Sequence, residues 1–293
     1  MQGRSVKRRR GPPRQIGIVQ QMFHRETQKS PLMAAVTLSE LIFHSTVRSV
    51  RQGHGNAIYG LLINVFQTAS MLLVFYFVMT LIGMRGAALR GDYFLYMMTG
   101  ISVFMAHTKT MGAVSGAGAA LSQMQQHGPM TTAVSIASAA LGALYLQVLT
   151  MAVLLYGYHV LFTPITISQP IPAMGMVIMA WLYGVALGLV LLGMRPWAPR
   201  LVQILQSIYT RASMFASGKM FVANSLSYTL LQFFDWNPLF HIIDQTRGFV
   251  FINYNPHHTS VSYPIYAMLV VAMIGMMGEF YTRRRVSASW SAR

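Results

Sequence analysis

The sequence predicts an all-α integral membrane protein: six transmembrane helices, an N-terminal amphipathic interface helix and a re-entrant helical hairpin before the last span. Three observations carry this. Of 293 residues, 54% are hydrophobic and only 10% charged. Six apolar runs approach or exceed the ~20 residues that cross a ~30 Å hydrocarbon core. The basic residues that give a net charge of +16 gather near the chain ends. Ten Lys/Arg precede the first apolar run and four follow the last (Arg283, Arg284, Arg285 and Arg293). The positive-inside rule then puts both ends in the cytoplasm, which needs an even number of crossings. Attraction to anionic headgroups explains this charge better than nucleic acid, which is not an expected partner.

The elements follow in order. Residues 1–31, opening "MQGRSVKRRRGPPR", read as a basic cytoplasmic tail with no apolar leader. Across 32–56, Thr37, Glu40, His44, Arg48 and Arg51 recur every three or four residues. That polar stripe against Leu38, Ile42, Phe43, Val47 and Val50 predicts an amphipathic helix in the cytoplasmic headgroup layer. The transmembrane domain, 57–283, holds spans at about 57–84, 93–114, 131–162, 171–194, 201–221 and 263–281. The fifth is the most polar, with Arg211 and Lys219. Residues 284–293 form a second cytoplasmic tail. Gly184 and Gly188 make GxxxG in the fourth span, and Ser135, Ser138, Ala139 and Gly142 give the third a small-residue face. Both predict close helix packing, since the hydrophobic effect does not drive helices together in lipid.

Several chemistries find no support. Cysteine is absent, which removes disulfides, thiol nucleophiles and cysteine metal sites. His241 and Asp244 make a lone HxxD, so no catalytic residues are assigned. His257-His258 has no further ligand at metal spacing, and no metal is expected. "SGKM" (217–220) lacks the first glycine and the hydroxyl of a phosphate-binding loop. This chain is therefore expected to bind no cofactor itself.

The stretch "FFDWNPLFHIIDQTRGFVFINYNPHH" (233–258) is unusually polar for its place between two apolar segments. Asn237-Pro238 predicts a helix start, Asn as N-cap and Pro at the first position. On the helix that follows, Asp244 and Arg247 are spaced to pair, with His241 three residues before. With a short segment from Phe221 to Phe234 it forms the predicted hairpin, 221–250, dipping into the outer leaflet. Non-spanning backbone at that depth must be buried in protein or line a water-filled cavity.

The pattern "SGKMF…LLQFFDWNPLFHIIDQTRG" resembles the hallmark of type-2 ABC exporter permeases, most closely the branch exporting capsular polysaccharide or O-antigen. Trp236, Asn237, Pro238, Leu239, His241, Asp244 and Arg247 match it residue by residue. The resemblance implies a multi-pass permease of the bacterial inner membrane, not itself an enzyme. It would work as a homodimer with two separate ATP-binding subunits, which carry the ATP and magnesium. Its other partners would be lipid-linked polysaccharide, membrane lipids and periplasmic export proteins. It further implies that the loop between the second and third spans, 115–133, docks into the ATPase. Ser122, Gln123, Gln125, Gln126, His127 and Pro129 are the contact candidates; relatives often carry charges there, and this chain does not.

A glycan path should present aromatic and amide side chains at helical spacing. Tyr59, Asn64, Phe66, Gln67 and Tyr76 in the first span are channel candidates, Asn64 and Gln67 because amides are costly against lipid. Lys109 reads as a snorkelling lysine or a contact for an anionic lipid linker. Arg211 should face a cavity or a partner. An exporter of the same fold moving a drug or lipid, and a membrane enzyme, remain the alternatives.

Overall fold

A computed structural model describes residues 31–52, 56–81, 92–124 and 132–291. The chain divides into two compact units, Met1–Glu40 and Leu41–Arg293. In the first, the described residues open helix α1 (Pro31–Gln52), where Thr37 and Ser39 donate back to Met33 O and Val36 O. The basic tail otherwise lies outside the described residues.

The regular structure of the second unit is all helical among its described residues. After α1 come α2 (Ala57–Leu81), α3 (Tyr93–Met124), α4 (Thr132–Leu161), α5 (Pro170–Met194) and α6 (Pro199–Ala216). A 3-10 turn (Ala223–Ser225), α7 (Tyr228–Phe234), α8 (Pro238–Val250) and α9 (Ser262–Ser291) complete it. Proline occupies the first turn of α5, α6 and α8, where a missing N–H costs nothing.

Among the described residues, four helices are long and apolar enough to cross a membrane: α2, α4, α5 and α9. This is a membrane-embedded protein whose regular structure, among the described residues, is all helical. The expected second and fifth spans correspond to α3 and α6, of 32 and 18 residues. Both are diluted by polar groups: His107 and Lys109 in α3, and Gln203, Gln206 and Arg211 in α6.

α3 is the axis of this unit. Every residue from Leu95 to Phe104 is buried, as expected of a helix apolar on all sides. It is ringed by α2, α4, α5 and α8, while α5 also packs along α9. The GxxxG pair does what the sequence predicts. A Cβ on Gly184 would lie 2.5 Å from His107 O, and one on Gly188 2.7 Å from the Val114 Cβ. The small face of α4 also packs: Ser135 donates to Ala117 O, and Gly142 faces Ser49 and Val50 of α1.

Two helices outrun their predicted ends. α3 continues to Met124, so the first ten residues of the expected coupling loop are helical, as alanine and leucine at 117–121 favour. α9 continues to Ser291, through most of the expected C-terminal tail; Arg283 bonds Glu279 one turn earlier at 2.6 Å. Each end of the unit has a polar tie. Asp92 caps α3 through Phe94 N and accepts from Tyr158 and Thr163. At the other end Arg195 donates to Ser115 O, and Trp197 to Thr282.

Gly184→Val should force α3 and α5 apart and destabilise the protein by about 1–3 kcal/mol. Gly157→Val, where nothing lies within 4 Å of the added atom, should change little. Thermal unfolding in detergent compares the two.

Candidate functional site

The middle of the polar stretch, 237–251, is packed inside the protein, while residues at both of its ends are exposed. Asn237 caps α8 by accepting from Leu239 N, and its amide donates to Ala216 O at 2.9 Å, joining the start of α8 to the end of α6. Leu239, Ile242 and Ile243 are fully buried against Phe104 and Ala106 of α3 and Ala180 and Tyr183 of α5. Those α3 contacts lie roughly 20 Å along the helix from its Asp92 end. The other end of α8 returns toward that surface, where Ser168 N donates to Val250 O and Gln169 N to Phe249 O. α8 therefore slants from one end of the unit toward its middle. α7 differs, since none of its residues is buried.

Arg247 is the centre of this arrangement. Its guanidinium is wholly buried and donates to three backbone carbonyls: Gly218 O (2.8 Å), Phe221 O (2.6 Å) and Lys219 O (2.6 Å). The Tyr96 ring covers it at 4.2 Å. These carbonyls belong to the turn after α6, which Gly218 makes possible by adopting φ +69°. Gly100 of α3 lets the turn approach, because a Cβ there would lie 2.6 Å from Lys219 O.

The expected Asp244–Arg247 pairing is corrected. No ion pair joins them among the described residues. Asp244 instead accepts from Tyr254 OH (2.6 Å), Thr259 Oγ1 (2.8 Å) and Ala223 N (3.2 Å). The forked guanidinium fits converging carbonyls, and the carboxylate finds two of its donors in the segment before α9 and a third in the 3-10 turn after α6. Burial, reinforced by the neighbouring Asp244 carboxylate, pushes the Tyr254 phenol far above its ordinary range, so it remains a donor. His241 joins the same network. Its Nδ1 accepts from Ser260 N (3.1 Å), so Nε2 carries the proton and donates to Asp235 O (2.6 Å). Trp236 alone of the motif is largely exposed, at 67%.

A second polar cluster joins α2, α3 and α4. Asn64 donates to Thr150 Oγ1 (2.7 Å) and Leu146 O; Lys109 Nζ donates to Asn64 Oδ1 and to Gln67 Oε1 (2.8 Å). Three predicted channel residues thus meet. Tyr59 and Phe66 lie instead on the exposed outer stripe of α2 with Leu62, Leu73 and Phe77. Tyr76 is half-buried beside Tyr93, and Arg211 is exposed on α6. Ser122 and Gln123 fall in the helical extension of α3, while Gln125, Gln126, His127 and Pro129 lie outside the described residues.

Two features escaped the sequence reading. His107, wholly buried, bonds Tyr209 OH (2.9 Å) and Ala180 O and stacks on Tyr183, so one side chain connects α3, α5 and α6. The only signal was an isolated histidine in an apolar run. Lys219 Nζ lies 4.0 Å from the Phe104 ring and 4.6 Å from Phe75, with no hydrogen-bond partner among the described residues.

No protein-family model matches the chain, and neither does any curated protein.

Arg247→Lys keeps the charge but loses the fork that spans three carbonyls. It should cost about 2–4 kcal/mol of stability, read by thermal unfolding in detergent.

Proposed function

We propose that this protein is the permease subunit of an ATP-driven exporter that moves a lipid-linked polysaccharide across the bacterial inner membrane. The observation that carries the reading is α8. A helix opened by W-N-P and bearing His241, Asp244 and Arg247 lies buried against α3 and α5 immediately before the last apolar helix. That arrangement suits a re-entrant element far better than a free linker.

On this reading α3 and α6 cross the membrane with the four most apolar helices, giving six spans and two cytoplasmic termini. α7 and α8 lie on the outer side. Two copies assemble with two ATP-binding subunits, and the segment after α3 docks into them. Closure of the ATPases pushes that segment and α1, and the shift opens a path between the copies bordered by α2 and α6. The exposed faces of these helices support the assignment. On α6, Arg200, Gln203, Ser207 and Arg211 are all exposed at near-helical spacing, a stripe poorly suited to lipid and well suited to water. On α2, Tyr59 and Phe66 offer exposed aromatic faces, and Gln67 of the same helix accepts from Lys109.

Deleting the gene should trap glycan in the cytoplasm, and affinity purification of the tagged chain should bring down an ATPase subunit. Undiminished surface glycan after deletion would remove the reading. Within it, Arg211→Leu should leave insertion intact, since it replaces a group costing about 2.5–3.5 kcal/mol at mid-membrane, and should still lower export severalfold. Export measured from surface glycan, normalised to membrane-inserted protein, checks this.

A further inference from the structure

An open cleft of about 640 Å³ lies at the α7–α8 turn, between Gln232, Asp235 and Trp236 on one side and His258, Thr259 and Tyr263 on the other. We propose that it is a glycan-binding site, in which a sugar ring stacks on the Trp236 indole while its hydroxyls bond Gln232, Asp235 and His258. The inference rests on the exporter reading and adds a place where the transported chain is held.

The floor of the cleft is rigid. Tyr263 OH donates to Trp236 O at 2.7 Å, which fixes the ring against the turn. His241 bridges Asp235 O and Ser260 N, and its ring lies 4.8 Å from that of Tyr263. The groups around the mouth are uncommitted. Among the described residues, the side chains of Gln232, Trp236 and His258 donate to and accept from nothing in the protein. Asp235 meets only the neutral His241, through one oxygen at 3.1 Å. The Trp236 indole is two-thirds exposed beside these groups.

Chemistry selects the ligand class. The mouth offers donors (indole N–H, amide N–H) and acceptors (carboxylate, amide oxygen) within one small perimeter, matching hydroxyl groups that both donate and accept. A bare anion would meet the Asp235 carboxylate. For a metal ion, no group of three or more histidine or acidic side chains converges among the described residues. A flat aromatic face with polar groups at its rim suits the apolar face and equatorial hydroxyls of a pyranose.

The test uses the full chain in phospholipid nanodiscs, with cellohexaose and hexagalacturonic acid as neutral and acidic probes, read by saturation-transfer NMR. At least one sugar should bind, roughly tenfold more weakly after Trp236→Ala and nearly unchanged after Trp236→Phe. Binding of neither sugar, or binding indifferent to Trp236→Ala, would overturn the site. So would displacement of the sugar by added lipid headgroup (glycerophosphoglycerol), which would make it a lipid site. In cells, a benzophenone amino acid replacing Trp236 should cross-link to glycan, whereas one replacing Trp197, also exposed but at the far end, should not. If deletion traps glycan but sugar binding ignores Trp236, the exporter stands and the cleft falls. If deletion leaves surface glycan intact while sugar binding depends on Trp236, the cleft stands and the exporter falls.

Discussion

The burial of one guanidinium organises much of this protein. An arginine removed from water must have its donors satisfied, or the cost is several kcal/mol. Arg247 meets that demand at both terminal nitrogens with carbonyls rather than a carboxylate, its Nε alone having no hydrogen-bond partner among the described residues, and the carbonyls come from the turn after α6. Charge and turn each resolve the other's desolvation. The solution also constrains sequence elsewhere. Gly218 must adopt a left-handed conformation to present its carbonyl, Gly100 must lack a side chain for the turn to reach α3, and Tyr96 supplies the covering ring.

Around that point the helices hold together by two different means. α3, α5 and α9 approach closely through small residues, the mode available where lipid competes with every apolar side chain. α6 is attached by polar contacts instead: Gln206 accepts from Ser115, Tyr209 meets His107, and the Ala216 carbonyl accepts from Asn237. Most of its surface is exposed. Discrete hydrogen bonds can exchange partners in a small displacement, whereas interlocked glycine faces cannot slide without a clash. The physical division is thus between a fixed set, α3, α5 and α9, and a more weakly attached α6.

How much of this was legible in the sequence follows from the same physics. Hydropathy and length found every long helix, and Asn237-Pro238 marked the start of α8 correctly, because capping is local. GxxxG foretold close packing of α5, because only small residues permit it, but the pattern did not name α3 as its partner. The partners of Asp244 and Arg247 were not legible. Spacing three apart on a helix licenses a pair, but the choice between a carboxylate and three distant carbonyls depends on a turn nearly thirty residues earlier in the chain. The amides of α2 were singled out as costly against lipid, and Lys109 as a snorkelling lysine or a contact for an anionic linker. That Asn64, Gln67 and Lys109 satisfy one another could not be read, since periodicity along one helix does not give its rotation against another. The ends of α3 and α9 were missed because hydropathy marks where the membrane would end rather than where the helix does.

Lys219 extends the argument from Arg247 to α2. The two residues are joined through one backbone carbonyl, Lys219 O, while the Lys219 amine reaches the other way, between Phe75 of α2 and Phe104 of α3. An amine with ring faces in place of hydrogen bonds is held only while both rings stay close. Moving α2 away would strip one ring from a buried polar group whose backbone Arg247 keeps in place. Water, or the turn itself, would then have to follow. A shift of α2 and a rearrangement of the turn after α6 are therefore energetically linked, with Phe75, Lys219 and Arg247 as successive members of the chain that links them.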